Sequence, residues 1–124
     1  MPMRGIRGAT TAAANTRAAI LDAANELLRE LLKANAVRVD DIASVIFTVT
    51  PDLDAAFPAS AARALGWRDV ALLDMLAPRV PNDLPYCIRV LIHCDTARAA
   101  NQLRHIYLRD ARQLRPDRAE EIER

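Results

Sequence analysis

Cys87-Ile-Arg-Val-Leu-Ile-His93 is branched and apolar, carries one guanidinium at its centre, and has no Gly or Pro inside it. That pattern predicts a buried β-strand. Period-two alternation sets Ile88, Val90 and Ile92 on one face and Cys87, Arg89, Leu91 and His93 on the other. Arg89 therefore stands mid-strand among apolar neighbours. A guanidinium keeps its proton, and burying it without a counter-charge is costly. Its partner is either a carboxylate of the chain or an anionic ligand, and the strand alone leaves both open.

The segments around this strand complete a mixed sheet. Met3–Thr11, with Gly5 and Gly8, reads as a strand whose Arg7 and Ala9 share one side and whose Ile6 and Gly8 share the other. Its glycines allow close approach of another backbone or a ligand. Asn15 or Thr16 caps the one strong helix, and Asn35 is expected to end it in a left-handed turn. Within it Ile20, Ala24, Leu27, Leu28 and Leu31 form a single apolar stripe, which suits a helix lying on a sheet. Ala43–Val49 is the second strand, ending at the proline loop Thr50-Pro-Asp-Leu53. Pro58 opens a short helix over Ala59–Leu65, closed by Gly66. Val70–Leu73 is a short third strand, Asp74–Pro85 is irregular because of its prolines, and Arg104–Leu108 is a fifth strand. Ala111–Leu114 makes a helical turn before Arg115 and Pro116. The fold class is α+β: a mixed five-stranded sheet, one long helix on one face, and short helices. The uncovered face keeps apolar residues such as Leu91, so an oligomer is expected, and ring closure suits a trimer.

The chain has 124 residues, half of them hydrophobic, which fits one domain with a real core over 1–117 and a charged, flexible tail over 118–124. The formal net charge of +1 gives no reason to expect nucleic acid or an anionic membrane as partner. Lys33 is the only lysine, a bias that a GC-rich genome explains, so arginine number alone marks no site. No apolar run approaches the roughly 20 residues that span a bilayer. Cys87 and Cys94 have no zinc-type spacing and face opposite ways on one strand, which suits reduced core thiols in the cytoplasm.

Arg7 and Arg89 on strands, Arg63 on the short helix and Tyr107 on the last strand form a set rich in donors and poor in nucleophiles. Arginine forks grip carboxylates through two parallel hydrogen bonds, and a phenol adds a neutral donor. His93 and His105 are isolated and suit structural roles. The set fits an organic dianion held without covalent or metal chemistry.

Met3-Arg-Gly-Ile-Arg-Gly-Ala-Thr-Thr11, Thr50-Pro-Asp-Leu53, Phe57-Pro-Ala59, Arg63, Gly66-Trp67, Cys87-Ile-Arg-Val90, Arg104-His-Ile-Tyr-Leu108 and Leu114-Arg-Pro-Asp117 together resemble the small monofunctional chorismate mutases of the AroH class. The resemblance implies a homotrimeric pseudo-α/β barrel with active sites between subunits. It implies conversion of chorismate to prephenate for phenylalanine and tyrosine synthesis, with no cofactor and no metal. By resemblance Arg89 faces the ether oxygen, and Arg7 and Tyr107 hold carboxylates. Phe57, Ala59 and Arg63 come from the adjacent subunit, Leu72, Leu73 and Leu114 form apolar wall, and Arg115 closes over the site. Two positions depart from the family pattern. Ala77 stands where a glutamate is usual and Asp74 where a cysteine is usual, so Asp74 is expected to take over as the catalytic carboxylate facing the substrate hydroxyl. Ser60 stands where a lysine is common, which weakens steering of a dianion. Two rival readings are a non-catalytic module binding a carboxylate metabolite, or a regulatory subunit, and an imine deaminase of related trimeric fold.

Overall fold

A computed structural model describes residues 2–114. Arg115 and the 118–124 tail lie outside the described residues. Five strands and two α-helices follow in the order β1 (Met3–Thr11), α1 (Arg17–Asn35), β2 (Ile42–Val49), α2 (Ala59–Ala64), β3 (Ala71–Leu76), β4 (Cys87–Asp95) and β5 (Ile106–Tyr107). Short 3-10 turns sit at Val39–Asp41, Ala100–Gln102 and Arg109–Gln113.

The sheet runs β3-β2-β4-β1-β5, so β4 is its central strand. It pairs antiparallel with both β1 and β2, while β2–β3 and β1–β5 are parallel. The sheet is thus mixed, and the parallel β2–β3 pair is joined through α2, as a parallel connection requires. Ile88, Val90 and Ile92 of β4, Val45 and Phe47 of β2, and Ile6 of β1 pack into one core with Ile20, Leu27, Leu28 and Leu31 of α1. This is the face that alternation assigned to Ile88, Val90 and Ile92. Gly8 lets α1 approach: a Cβ there would meet the side chains of Leu31 and Leu27 at 2.9 and 3.0 Å and the Ile106 carbonyl at 3.1 Å.

The ends of α1 show what local signals decide. The Thr16 side chain accepts the Ala19 amide at 3.1 Å and is the N-cap. At the other end the left-handed residue is Ala36 (φ 51°), not Asn35. Asn35 is buried and otherwise engaged. Its Nδ2 donates to the carbonyls of Leu31 and Arg104, each at 2.9 Å, and its Oδ1 accepts the Arg104 amide at 2.7 Å. A primary amide satisfies a buried N–H and C=O together, which outweighs its preference for a positive φ. The bond ties α1 to the segment entering β5, so it helps to place Tyr107.

β4 runs two residues past the expected His93, to Asp95, and β2 begins one residue early, at Ile42; β3 and β5 differ more. β3 runs on to Leu76 because its parallel register with β2 continues to Val49, and the Ala77 amide still reaches the Val49 carbonyl at 2.9 Å. The first proline that could stop it is Pro78. The edge strand β5 contracts to Ile106–Tyr107, since only Gly8 and Ala9 of β1 pair with it. The second sheet face is partly covered. Ala9, Tyr107 and Ala111 make a small cluster there, with Leu84 and Leu114 packed on it. Beyond that cluster Leu73 and Met75 of the edge strand β3 remain about half exposed.

Candidate active site

Register builds the site on this second face. Arg89 pairs with Ala9 on one side and Thr48 on the other, and Ala9 pairs in turn with Tyr107. The next rung sets Arg7 opposite Leu91 and Leu91 opposite Ile46. Arg7 and Arg89 are therefore diagonal neighbours, with Cα atoms roughly 7–8 Å apart in such a ladder. Ala9 between them is small, which leaves room above it for two guanidinium groups. Arg7, Arg89, Tyr107, Leu91, Ile46, Thr48 and Leu114 line a cavity of about 460 Å³. That size accommodates a small organic molecule.

Three devices hold this floor in place. The first is Thr50-Pro-Asp-Leu53. The Thr50 amide donates to the Cys87 carbonyl at 3.1 Å, and the Thr50 hydroxyl accepts the Cys87 amide at 3.0 Å. Asp52 accepts the Tyr86 amide at 2.9 Å. The motif thus fixes the start of β4 two residues before Arg89. The second device is Arg109, a left-handed residue (φ 52°) whose guanidinium donates to the Thr11 carbonyl at 3.1 Å and meets Glu26 at 3.2 Å. It ties the 109–113 turn to β1 and α1, and so brings Leu114 to the cavity. The third is His105, whose Nδ1 accepts the Arg7 amide at 3.0 Å. His93 meets the Ser44 hydroxyl at 3.0 Å. Both histidines therefore have structural contacts.

Arg89 has the first of the partners that its sequence context allowed, a carboxylate of the chain. Its Nη2 meets Asp83 Oδ1 at 3.1 Å, with the two side chains 35% and 23% exposed. The same guanidinium lines the cavity, and one acceptor leaves most of its five N–H donors unused by that contact. Asp83 belongs to no motif. The one signal for it is an acid six residues ahead of Arg89, in a proline-rich segment that must fold back onto β4. Beside the pair, burial pushes the Cys87 thiol up to about 11, against the opposing pull of Arg89. At neutral pH that sulfur is a protonated core group, not a nucleophile.

The remaining expected site residues lie elsewhere on the chain. Phe57, 68% exposed, and Asp74 line a separate cavity of about 470 Å³ with Arg17, Asp54 and Met75. Asn15 clamps the approach to Phe57 by accepting the amides of Asp54 and Ala55 at 3.0 and 3.1 Å. Ala59 is fully buried at the start of α2. Arg63 and Leu72 line a third recess with Trp67 and Val70. Leu73 shares the rung of Ile46 and Leu91 at the exposed sheet edge. The single chain unites Arg7, Arg89, Tyr107 and Leu114; it does not bring Phe57, Ala59, Arg63, Leu72 or Asp74 to them.

Asp74 departs from the expected role within the chain. It pairs with Phe47, and Phe47 pairs with Val90, so all three point to the helix-covered face, away from Arg89. Its carboxylate accepts the Ala59 amide at 3.0 Å. Burial raises its pKa, and the Ala59 hydrogen bond and the Arg63 charge offset part of that rise. The Asp74 carboxylate thus anchors the first turn of α2. Ala77 is buried and brings no side-chain acceptor to the site.

Known proteins resemble the chain in both sequence and fold. The family model described as "Chorismate mutase type I" matches residues 3–118. Chorismate mutase AroH of Thermus thermophilus is 48% identical over 116 residues, covering 93% of this chain and 95% of that protein. Chorismate mutase AroH of Bacillus subtilis (strain 168) is 40% identical over 118 residues, covering 94% and 93%. The solved structure of a chorismate mutase from Clostridium thermocellum superposes with a TM-score of 0.87 at 47% identity, covering 88% of this chain and 97% of that one. With sequence similarity running from the first strand to beyond the last, and the same fold beneath it, the chain belongs to the type I chorismate mutase family.

Proposed function

We propose that the protein converts chorismate to prephenate by intramolecular Claisen rearrangement, supplying the branch toward phenylalanine and tyrosine. The observation that carries this reading is the convergence of Arg7, Arg89 and Tyr107 on one apolar-walled cavity. The reaction needs no nucleophile, metal or cofactor. It needs a dicarboxylate held in a compact, chair-like shape that its own charges resist. As the C–O bond breaks, negative charge grows on the ether oxygen. A cation already aimed there stabilises the transition state more than the ground state. Arg89 is that cation and also touches a carboxylate; Arg7 and Tyr107 hold the carboxylates; Leu114 is part of the wall.

The working assembly is a homotrimer in which Phe57, Arg63, Leu72, Leu73 and Asp74 reach the cavity of a neighbouring subunit, with Ala59 buried behind them at the start of α2. Support comes from the apolar edge strand β3 and its flank, where Leu73, Met75, Leu76 and Val80 are each at least half exposed. An exposed apolar edge of this kind is normally covered by another chain. Arg115, outside the described residues, is the further cation that the resemblance assigns to the dianion. Among the described residues no helix is long and apolar enough to cross a membrane. With both cysteines free, the cytoplasm is the compartment that fits. The test is to follow the ultraviolet absorbance of chorismate as it disappears, identify prephenate as product, and measure the assembly mass by sedimentation. Stable chorismate in the presence of folded protein refutes the activity; a monomer under turnover conditions refutes the shared site.

A further inference from the structure

We propose that Asp83 is a positioning residue for Arg89, an inference that rests on the reading of the cavity as a chorismate mutase site. Arg89 is only partly enclosed, and an arginine side chain carries about 2 kcal/mol of rotamer entropy. Left alone it would sample several directions over the cavity floor. Asp83 Oδ1 at 3.1 Å takes one edge of the guanidinium and turns the remaining donors toward the space that Arg7 and Tyr107 also face.

The frame that carries Asp83 is held on three sides. The Asp83 amide donates to the Val80 carbonyl at 3.2 Å in a tight turn, with Asn82 left-handed at φ 66°. The Asp83 carboxylate also accepts the Leu84 amide at 2.8 Å. Leu84 packs on the Ala9–Tyr107–Ala111 cluster beside the cavity. Beyond it Tyr86 is pinned by Asp52 on one side and by the Ala12 amide, at 2.8 Å, on the other. The carboxylate is thus presented from a braced turn, which separates this pair from exposed ion pairs of little consequence.

Charge gives the proposal a signature that a purely structural tether lacks. Arg7 and Arg89 bring two positive charges to the cavity, and Asp83 cancels one. Its removal leaves the site more attractive to a dianion in the ground state but with a less ordered cation for the transition state. Asp83→Asn keeps an oxygen for the Leu84 amide and removes the charge; Asp83→Glu restores the charge. On wild-type protein and these two variants, kcat and KM for chorismate are measured together with the denaturant midpoint. The expected result is that Asp83→Asn lowers kcat about 10–100-fold, the scale set by outer-shell carboxylates that orient metal ligands, which hold a functional group in the same way. KM stays level or falls, the midpoint barely moves, and Asp83→Glu recovers part of kcat. Unchanged kcat with a lower KM would overturn the proposal, because Asp83 would then merely compete with substrate for Arg89. Parallel loss of kcat, rise in KM and loss of stability would overturn it in favour of a loop tether. Wild-type protein that leaves chorismate intact would refute the underlying reading of the site itself.

Discussion

Replacing Arg89 with lysine tests the electrostatic reading most directly. Alanine is the blunter change, since it strands the Asp83 carboxylate, three-quarters enclosed, without its partner. That loss falls between the ~0.2–1 kcal/mol of exposed pairs and the ~3–5 kcal/mol of fully buried ones, and it mixes folding with catalysis. Lysine keeps the positive charge on a strand whose neighbours Ala9 and Thr48 leave space for it. It offers one nitrogen in place of a five-donor fork. That nitrogen satisfies Asp83 or the developing oxyanion, and the nearer fixed carboxylate holds it. The expected outcome is a folded, paired, poorly active enzyme: kcat lower by about 10²–10³-fold, the effect of losing one oxyanion donor, or ~2.7–4 kcal/mol of transition-state stabilisation. The denaturant midpoint should stay close to wild type. Stopped-time sampling of chorismate absorbance at saturating substrate reads kcat directly. An Arg89→Lys variant within threefold of wild type would refute the claim that the fork, as opposed to the charge, does the catalytic work.

Three further outcomes follow from the packing. Gly8→Ala forces a Cβ to within 3.1 Å of the Ile106 carbonyl and closer to two leucine side chains of α1, so β5 must shift. A cost of about 1–3 kcal/mol in denaturant unfolding is expected, with a raised KM because Tyr107 moves with β5. Thr10 is fully buried with its hydroxyl unpartnered, so Thr10→Val should stabilise the fold by ~1 kcal/mol, read as a higher unfolding midpoint. Asp74 has a raised pKa in the folded chain, chiefly from burial, so its stabilising contribution is full below the ordinary carboxylate range and is lost as pH rises through the folded value. Asp74→Asn keeps the acceptor for Ala59 without that loss. Its stability relative to wild type should therefore improve as pH rises from the acid range to neutrality, and an equal response of the two proteins to pH would contradict the assignment.

How much was legible in the chain itself depends on the range of the interaction. Alternation along Cys87–His93 placed Ile88, Val90 and Ile92 in the core and Arg89 on the opposite face, because the side-chain period of a strand is a local property. The apolar stripe of α1 and the Thr16 cap were local too. Motif order was enough to suggest the family, since each motif keeps its own chemistry wherever the chain takes it. Asn35 departs from the helix-end signal because its partner, Arg104, lies 69 residues away.

What only the tertiary structure decided were contacts across that longer range. The face taken by Asp74 follows from the register of two parallel strands joined through α2, and a shift of one residue would reverse it. The counter-ion of Arg89 follows from how an irregular proline-rich loop is braced by Thr50, Asp52 and Leu84. Composition alone cannot rank Asp83 against the other acids of the chain. A guanidinium's need for a carboxylate is written in the residue type; which carboxylate answers it is set by folded geometry, because an ion pair acts over a few ångströms of space and not along the chain.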